Sequence, residues 1–108
     1  MTSKKEISDL ALRLQARCLT LFRKLFFDMQ ERDYSTEIRS RAVLLQKAVK
    51  SENYTEAKSQ TDNIEYLFKL LYQTGYIPGN VYQSLAVDAE VLSATLEDAI
   101  EGNLAPEE

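Results

Sequence analysis

Apolar residues recur near the start of the chain at Ile7, Ala11, Leu14, Cys18, Phe22, Leu25 and Met29, always three or four positions apart. At about 100° per residue these positions share one helical face, which predicts a first helix from about 4 to 32. Leu10 and Leu21 widen that face, and a second row, Leu12, Leu19 and Phe26, runs along its edge at intervals of seven. The combined apolar arc covers roughly 200°, twice the ~100° stripe that one core contact requires. The first helix therefore has two surfaces to satisfy, its own fold and a further neighbour such as another copy of the chain.

The polar stretch RDYSTEIRS interrupts the pattern. Asp33 or Ser35 is the expected N-cap, because its oxygen can accept from an otherwise unpaired backbone N–H. Ile38, Ala42, Leu45 and Val49 then predict a second helix over 34–51, and SENYT a tight turn that Tyr54 closes. A third helix, 54–74, carries Ala57, Thr61, Ile64, Phe68 and Leu71 on one face. Gln60 and Thr61 fall on that core-facing line, where polar groups need partners or water. They mark either an open end of the fold or a ligand-facing surface.

The stretch LLYQTGYIPGNVYQSL concentrates two of the chain's three glycines and one of its two prolines. Gly75 is placed to end the third helix in a left-handed conformation, and Pro78 to preset the first turn of the next. Tyr76 and Ile77 are expected to pack back onto the core. Leu85, Ala89, Leu92, Leu96 and Ala99 predict a fourth helix over 79–101, followed by a frayed acidic tail, 102–108. Short connections imply antiparallel neighbours, so the expected fold is all-α, an up-down-up-down four-helix bundle forming one domain over 1–108.

At 108 residues, with 44% hydrophobic and 28% charged positions, the chain has the composition of a single globular domain. No apolar run approaches the roughly 20 residues that span a bilayer, and MTSKKEISDL leads into no signal-peptide block. Neither a membrane association nor a small-molecule substrate is expected. Cys18 is the sole cysteine, which excludes an intrachain disulfide and points to a reducing, cytoplasmic setting.

The net charge of −4 is unevenly divided. Residues 1–50 carry eleven Lys/Arg against six Asp/Glu, a balance of +5, whereas 51–108 carry two against eleven, −9. Arg13, Arg17 and Lys24 fall within about 40° of one another on the first helix, away from its apolar face. Arg39, Arg41, Lys47 and Lys50 follow on the second. Such a set can track a phosphate backbone or remain a solvated face.

Catalytic chemistry finds little to work with. With no His, the usual proton shuttle and commonest metal ligand is missing, and a bundle di-iron site with its Glu-x-x-His pairs cannot form. Carboxylates pair at Glu52/Glu56 and Glu97/Glu101, near helix ends where solvation is the ordinary fate. No phosphate-binding glycine loop or nucleophile elbow occurs. A non-enzyme without cofactor or metal is expected.

Two segments carry a family resemblance. ERDYSTEIRSRAV (31–43) resembles the start of the second helix, and TGYIPGNVYQSL (74–85) the third corner, of a bacterial family of small four-helix proteins. That family includes proteins encoded in ribosomal-RNA intervening sequences and accessory proteins of diversity-generating retroelements. EVLSATLEDAI is similar to its last helix, whereas LLQKAVKSEN departs from the Pro- and Asn-containing stretch common there. The resemblance implies a homo-oligomer, often a pentamer, and in the retroelement branch binding to a reverse transcriptase and its RNA. It makes Leu12, Leu19 and Phe26 a subunit seam. It also makes Arg13, Arg17, Lys24, Arg39, Arg41 and Lys47 contacts for RNA or an acidic partner. The expectation is a self-associating accessory protein presenting a basic helical face to RNA or a nucleoprotein. The alternative is a protein–protein interaction bundle with no nucleic-acid role.

Overall fold

A computed structural model describes residues 2–24 and 29–105, with side chains at 2–20 and 34–105. Four helices make up the fold: α1 (Lys4–Lys24), α2 (Met29–Lys50), α3 (Tyr54–Gln73) and α4 (Gly79–Ile100). Each packs on its neighbour in sequence and α1 also packs on α4, while α1/α3 and α2/α4 make no close backbone approach among the described residues. The result is a four-helix bundle with α2 and α4 on opposite corners.

Side-chain pairs give the direction of several neighbours. Thr2, just before α1, bridges to Leu104 beyond α4, and Arg17 late in α1 bonds Ser84 and Asp88 early in α4. These two helices are antiparallel. So are α3 and α4, where Ser93 Oγ donates to Asp62 Oδ1 at 2.7 Å and Lys58 approaches Glu97 at 3.9 Å.

The core is one cluster drawn from all four helices. Ile7, Ala11, Leu14 and Cys18 meet Ile38, Ala42 and Leu45, with Ile64, Phe68 and Leu71 from α3 and Leu85, Ala89, Leu92 and Leu96 from α4. Burying each large side chain contributes about 1.5–3 kcal/mol, far more than helix propensity supplies. Gln60 and Thr61 are buried with them. Thr61 Oγ1 donates to Ala57 O at 2.8 Å, while Gln60 lies between Glu56 and Arg41. Neither the open end nor a ligand-facing surface is found there.

The first corner lies earlier than the apolar spacing indicates. α1 ends at Lys24, α2 starts at Met29, and Asp33, Tyr34 and Ser35 lie inside α2 rather than capping it. Met29 keeps the phase of the α1 stripe but belongs to α2, so the spacing alone carries the first helix too far; residues 25–28 lie outside the described residues. Tyr34 is half-buried, 6.2 Å from Tyr76 ring to ring, and this packing outweighs the mild helix aversion of Asp and Ser.

Three helices end in the same way. After α3, Gly75 has φ +85°, Tyr76 N–H donates to Leu71 O at 2.9 Å, and Gly75 N–H donates to Tyr72 O at 3.1 Å. This paired bonding is a Schellman motif, which satisfies carbonyls that the helix leaves open. Asn103 and Gly102 repeat it after α4, and Asn53 and Glu52 after α2, with Glu52 at φ 59°. Pro78 is the residue before α4 and Gly79 the first helical residue, where the spacing places the start of the fourth helix. The tail is not frayed at its start, because Thr2 N–H donates to Asn103 O and Ala105 N–H to Thr2 O, and Leu104 packs on the core.

Candidate interaction surface

On α1 the buried line Ile7–Ala11–Leu14–Cys18 points inward, and Arg17 lies to one side of it, turned toward α4. Its guanidinium donates to the Asp88 carboxylate, to Ser84 Oγ at 2.8 Å and to Ser84 O at 3.2 Å. Arg13 stands 3.5 Å from the same carboxylate and stays largely exposed. Two arginines expected to face a phosphate backbone thus converge on one acid of their own chain. Arg41 is similarly held, by Glu37 at 2.8 Å and by Gln60 Oε1 at 3.3 Å on α3. Arg39 and Lys47 stand exposed on α2. The Lys24 side chain and Phe26 lie outside the described residues.

Leu12 and Leu19 fall on the other side of the α1 core line, away from Arg17 and therefore toward α2. They are 59% and 51% exposed. On α2, Arg41 turns toward α3, so Arg39 and Val43 lie on the α1 side. Val43 and Leu44 straddle the outward line of the helix, 48% and 42% exposed, in a shallow depression shared with Thr36, Arg39 and Ser40. Exposed apolar side chains therefore stand on both α1 and α2, with Arg39 beside the α2 pair. Val43 and Leu44 escaped the sequence reading because they fall outside the core stripe, although their adjacency on a confidently helical segment is a readable signal.

The opposite side is acidic. Asp62, Glu65, Glu90 and Glu97 line the outer seam of α3 and α4, with Lys58 and Lys69 among them. The Glu65 carboxyl is raised above its ordinary range, first by burial, then by the charge of Glu90 and a hydrogen bond to it. Lys58 is raised in turn by its hydrogen bond to Asp62. α4 contains no Lys or Arg, and Val87 and Val91 point outward along it, each about half exposed. Glu65 is half-buried and Glu90 exposed, and the Ser93 hydroxyl that shares this seam donates to Asp62.

Cys18 is 1% exposed and burial pushes its thiol up to about 12, which leaves it protonated and unreactive. Among the described residues no group of three His, Cys, Asp or Glu side chains converges as a metal site. Among them, too, no helix is long and apolar enough to cross a membrane. Comparison with protein-family models, curated proteins and solved structures finds no match to the chain. What the geometry offers is a pair of differently charged outer faces on a rigid core.

Proposed function

We propose that the chain is a non-catalytic, self-associating adaptor that acts through the outer faces of its helices. The observation that carries this reading is the run of half-exposed apolar side chains, Leu12, Leu19, Val43 and Leu44, beside exposed basic residues. Large apolar side chains left exposed beside charge are a common feature of protein contacts. Protein is the partner class favoured, because Arg13, Arg17 and Arg41 are engaged with acids of their own chain. The compartment proposed is the cytoplasm, where a lone buried thiol stays reduced.

The nucleic-acid reading rests on Arg39, Lys47 and Lys50, which share the exposed side of α2. An accessory role beside a reverse transcriptase would use that side against RNA, as the resemblance implies. Light scattering for solution mass, followed by RNA binding at two salt concentrations, separates the two. An oligomer indifferent to RNA supports the protein adaptor. Binding that weakens steeply with salt supports the nucleic-acid role, because each displaced counterion adds to the slope. A monomer at all concentrations refutes self-association.

A further inference from the structure

We propose that the outer seam of α3 and α4 holds a socket for an arginine side chain of a basic partner protein, lined by the rings of Tyr66 and Tyr82 and the carboxyls of Glu65 and Glu90. The inference deepens the adaptor reading above and rests on it, by giving the acidic face a partner of its own.

A depression of about 300 Å³ opens between the two helices, lined by Glu65, Tyr66 and Lys69 of α3 and by Tyr82 and Glu90 of α4. Two of these side chains are aromatic. Tyr66 is 60% exposed, a large ring left in water. Tyr82 is half-buried, packs on the core and stacks on Tyr72, ring centroids 4.9 Å apart and planes 1° from parallel. That stack holds Tyr82 in place before any ligand arrives, and a preordered contact binds at lower entropic cost.

The carboxyls here are unequally served. Asp62, on the rim, is matched by Lys58 at 3.0 Å and by the Ser93 hydroxyl at 2.7 Å. Among the described residues neither Glu65 nor Glu90 forms an ion pair, and Lys69 lines the depression without pairing to either. A guanidinium suits this set. Its planar fork donates to two carboxylates at once while its flat face lies on an aromatic ring. Lysine offers a point charge that cannot do both. A divalent cation would need converging oxygens, and no such group occurs among the described residues. Arg13, Arg17 and Arg41 are held by acids of their own chain, so the guanidinium comes from another molecule. With −9 over residues 51–108 and no Lys or Arg on α4, the field on this side steers a basic segment toward the seam.

Titration of the whole chain with the peptide acetyl-Gly-Ser-Arg-Ser-Gly-amide at low salt, followed by amide chemical shifts, tests the socket. Saturable shifts are expected at Tyr66, Lys69, Tyr82 and Glu90, and none at Val43 and Lys47 on α2. A lysine twin of the peptide should bind at least about threefold more weakly, and an uncharged citrulline twin not at all. Tyr66→Ala should weaken binding about two- to fivefold, the worth of one exposed cation–π contact. Glu90→Gln should weaken it about five- to tenfold, and Lys69→Gln, which removes a competing cation, should tighten it. All three positions are exposed, and circular dichroism verifies the fold. If Tyr66→Ala misfolds, Tyr66→Leu replaces it with the same loss expected. Absence of saturable shifts at the seam would overturn the socket. So would equal affinity for the arginine and lysine twins, or an affinity unmoved by the Tyr66 and Glu90 substitutions. Light scattering on the same sample keeps the two readings apart: an oligomer that ignores the peptide loses the socket alone, and a monomer that binds it loses self-association alone.

Discussion

Asp88→Ala is the perturbation with the clearest structural magnitude. Asp88 has only 14% of its side chain exposed and accepts from Arg17, itself 31% exposed. A hydrogen bond between charged groups contributes about 1.5–3 kcal/mol when shielded. Partial solvation of Arg17 draws this toward the lower end, about 1.5–2 kcal/mol. Arg13 adds little, since at 3.5 Å and 66% exposure it falls in the class of surface pairs contributing ~0–1 kcal/mol. The substitution also leaves Arg17 its bonds to Ser84 but no carboxylate among the described residues, so α1 loses a charged tie to α4. For a domain of this size the loss corresponds to about 6–10 °C in Tm.

Urea unfolding followed by circular dichroism measures the change, and a cycle with Arg17→Ala isolates the pair. A coupling of about 1 kcal/mol or more is expected, because the two residues share one contact. Additivity within ~0.3 kcal/mol, with Asp88→Ala near wild-type stability, would refute the clamp. The same variant returns Arg13 and Arg17 to solvent, so any RNA affinity should rise. If they already face RNA in the wild-type protein, removing Asp88 would leave the affinity unchanged.

Four further outcomes are expected. Glu52→Gly should stabilise the fold by about 0.5–1 kcal/mol in urea titrations by relieving the left-handed backbone, less what the Lys4 ion pair provides, whereas Gly75→Ala should destabilise it by ~1 kcal/mol. Native Cys18 should resist thiol reagents at neutral pH and react only at the rate of unfolding, so rapid labelling of folded protein would contradict its burial. Glu65 holds its proton more tightly when folded than unfolded, so its contribution is full below the unfolded carboxyl range and lost as pH rises through the folded value. Glu65→Gln should flatten the fall in stability above about pH 4.5 relative to wild type, as read from unfolding titrations at several pH values.

Local rules made much of the fold legible. The α3–α4 corner could be placed because glycine adopts without penalty the left-handed backbone that a Schellman motif demands, and Gly75 stood at the end of an apolar stripe. The α1–α2 corner could not, because Met29 extends the α1 phase and polar Asp33 and Ser35 resemble caps although packing around Tyr34 holds them in a helix. Non-local pairing was hidden for a different reason. Arg17 looked like a solvent-facing cation because its acid lies 71 positions away on α4. The charge of α4 was legible, however: a helix with no Lys or Arg cannot neutralise its own outer face. Arg17 and Arg13 meet one of its acids at the inner flank and leave Glu90, Asp98 and Glu101 on the outer side. The asymmetry first visible as a basic half and an acidic half is therefore only partly consumed within the molecule.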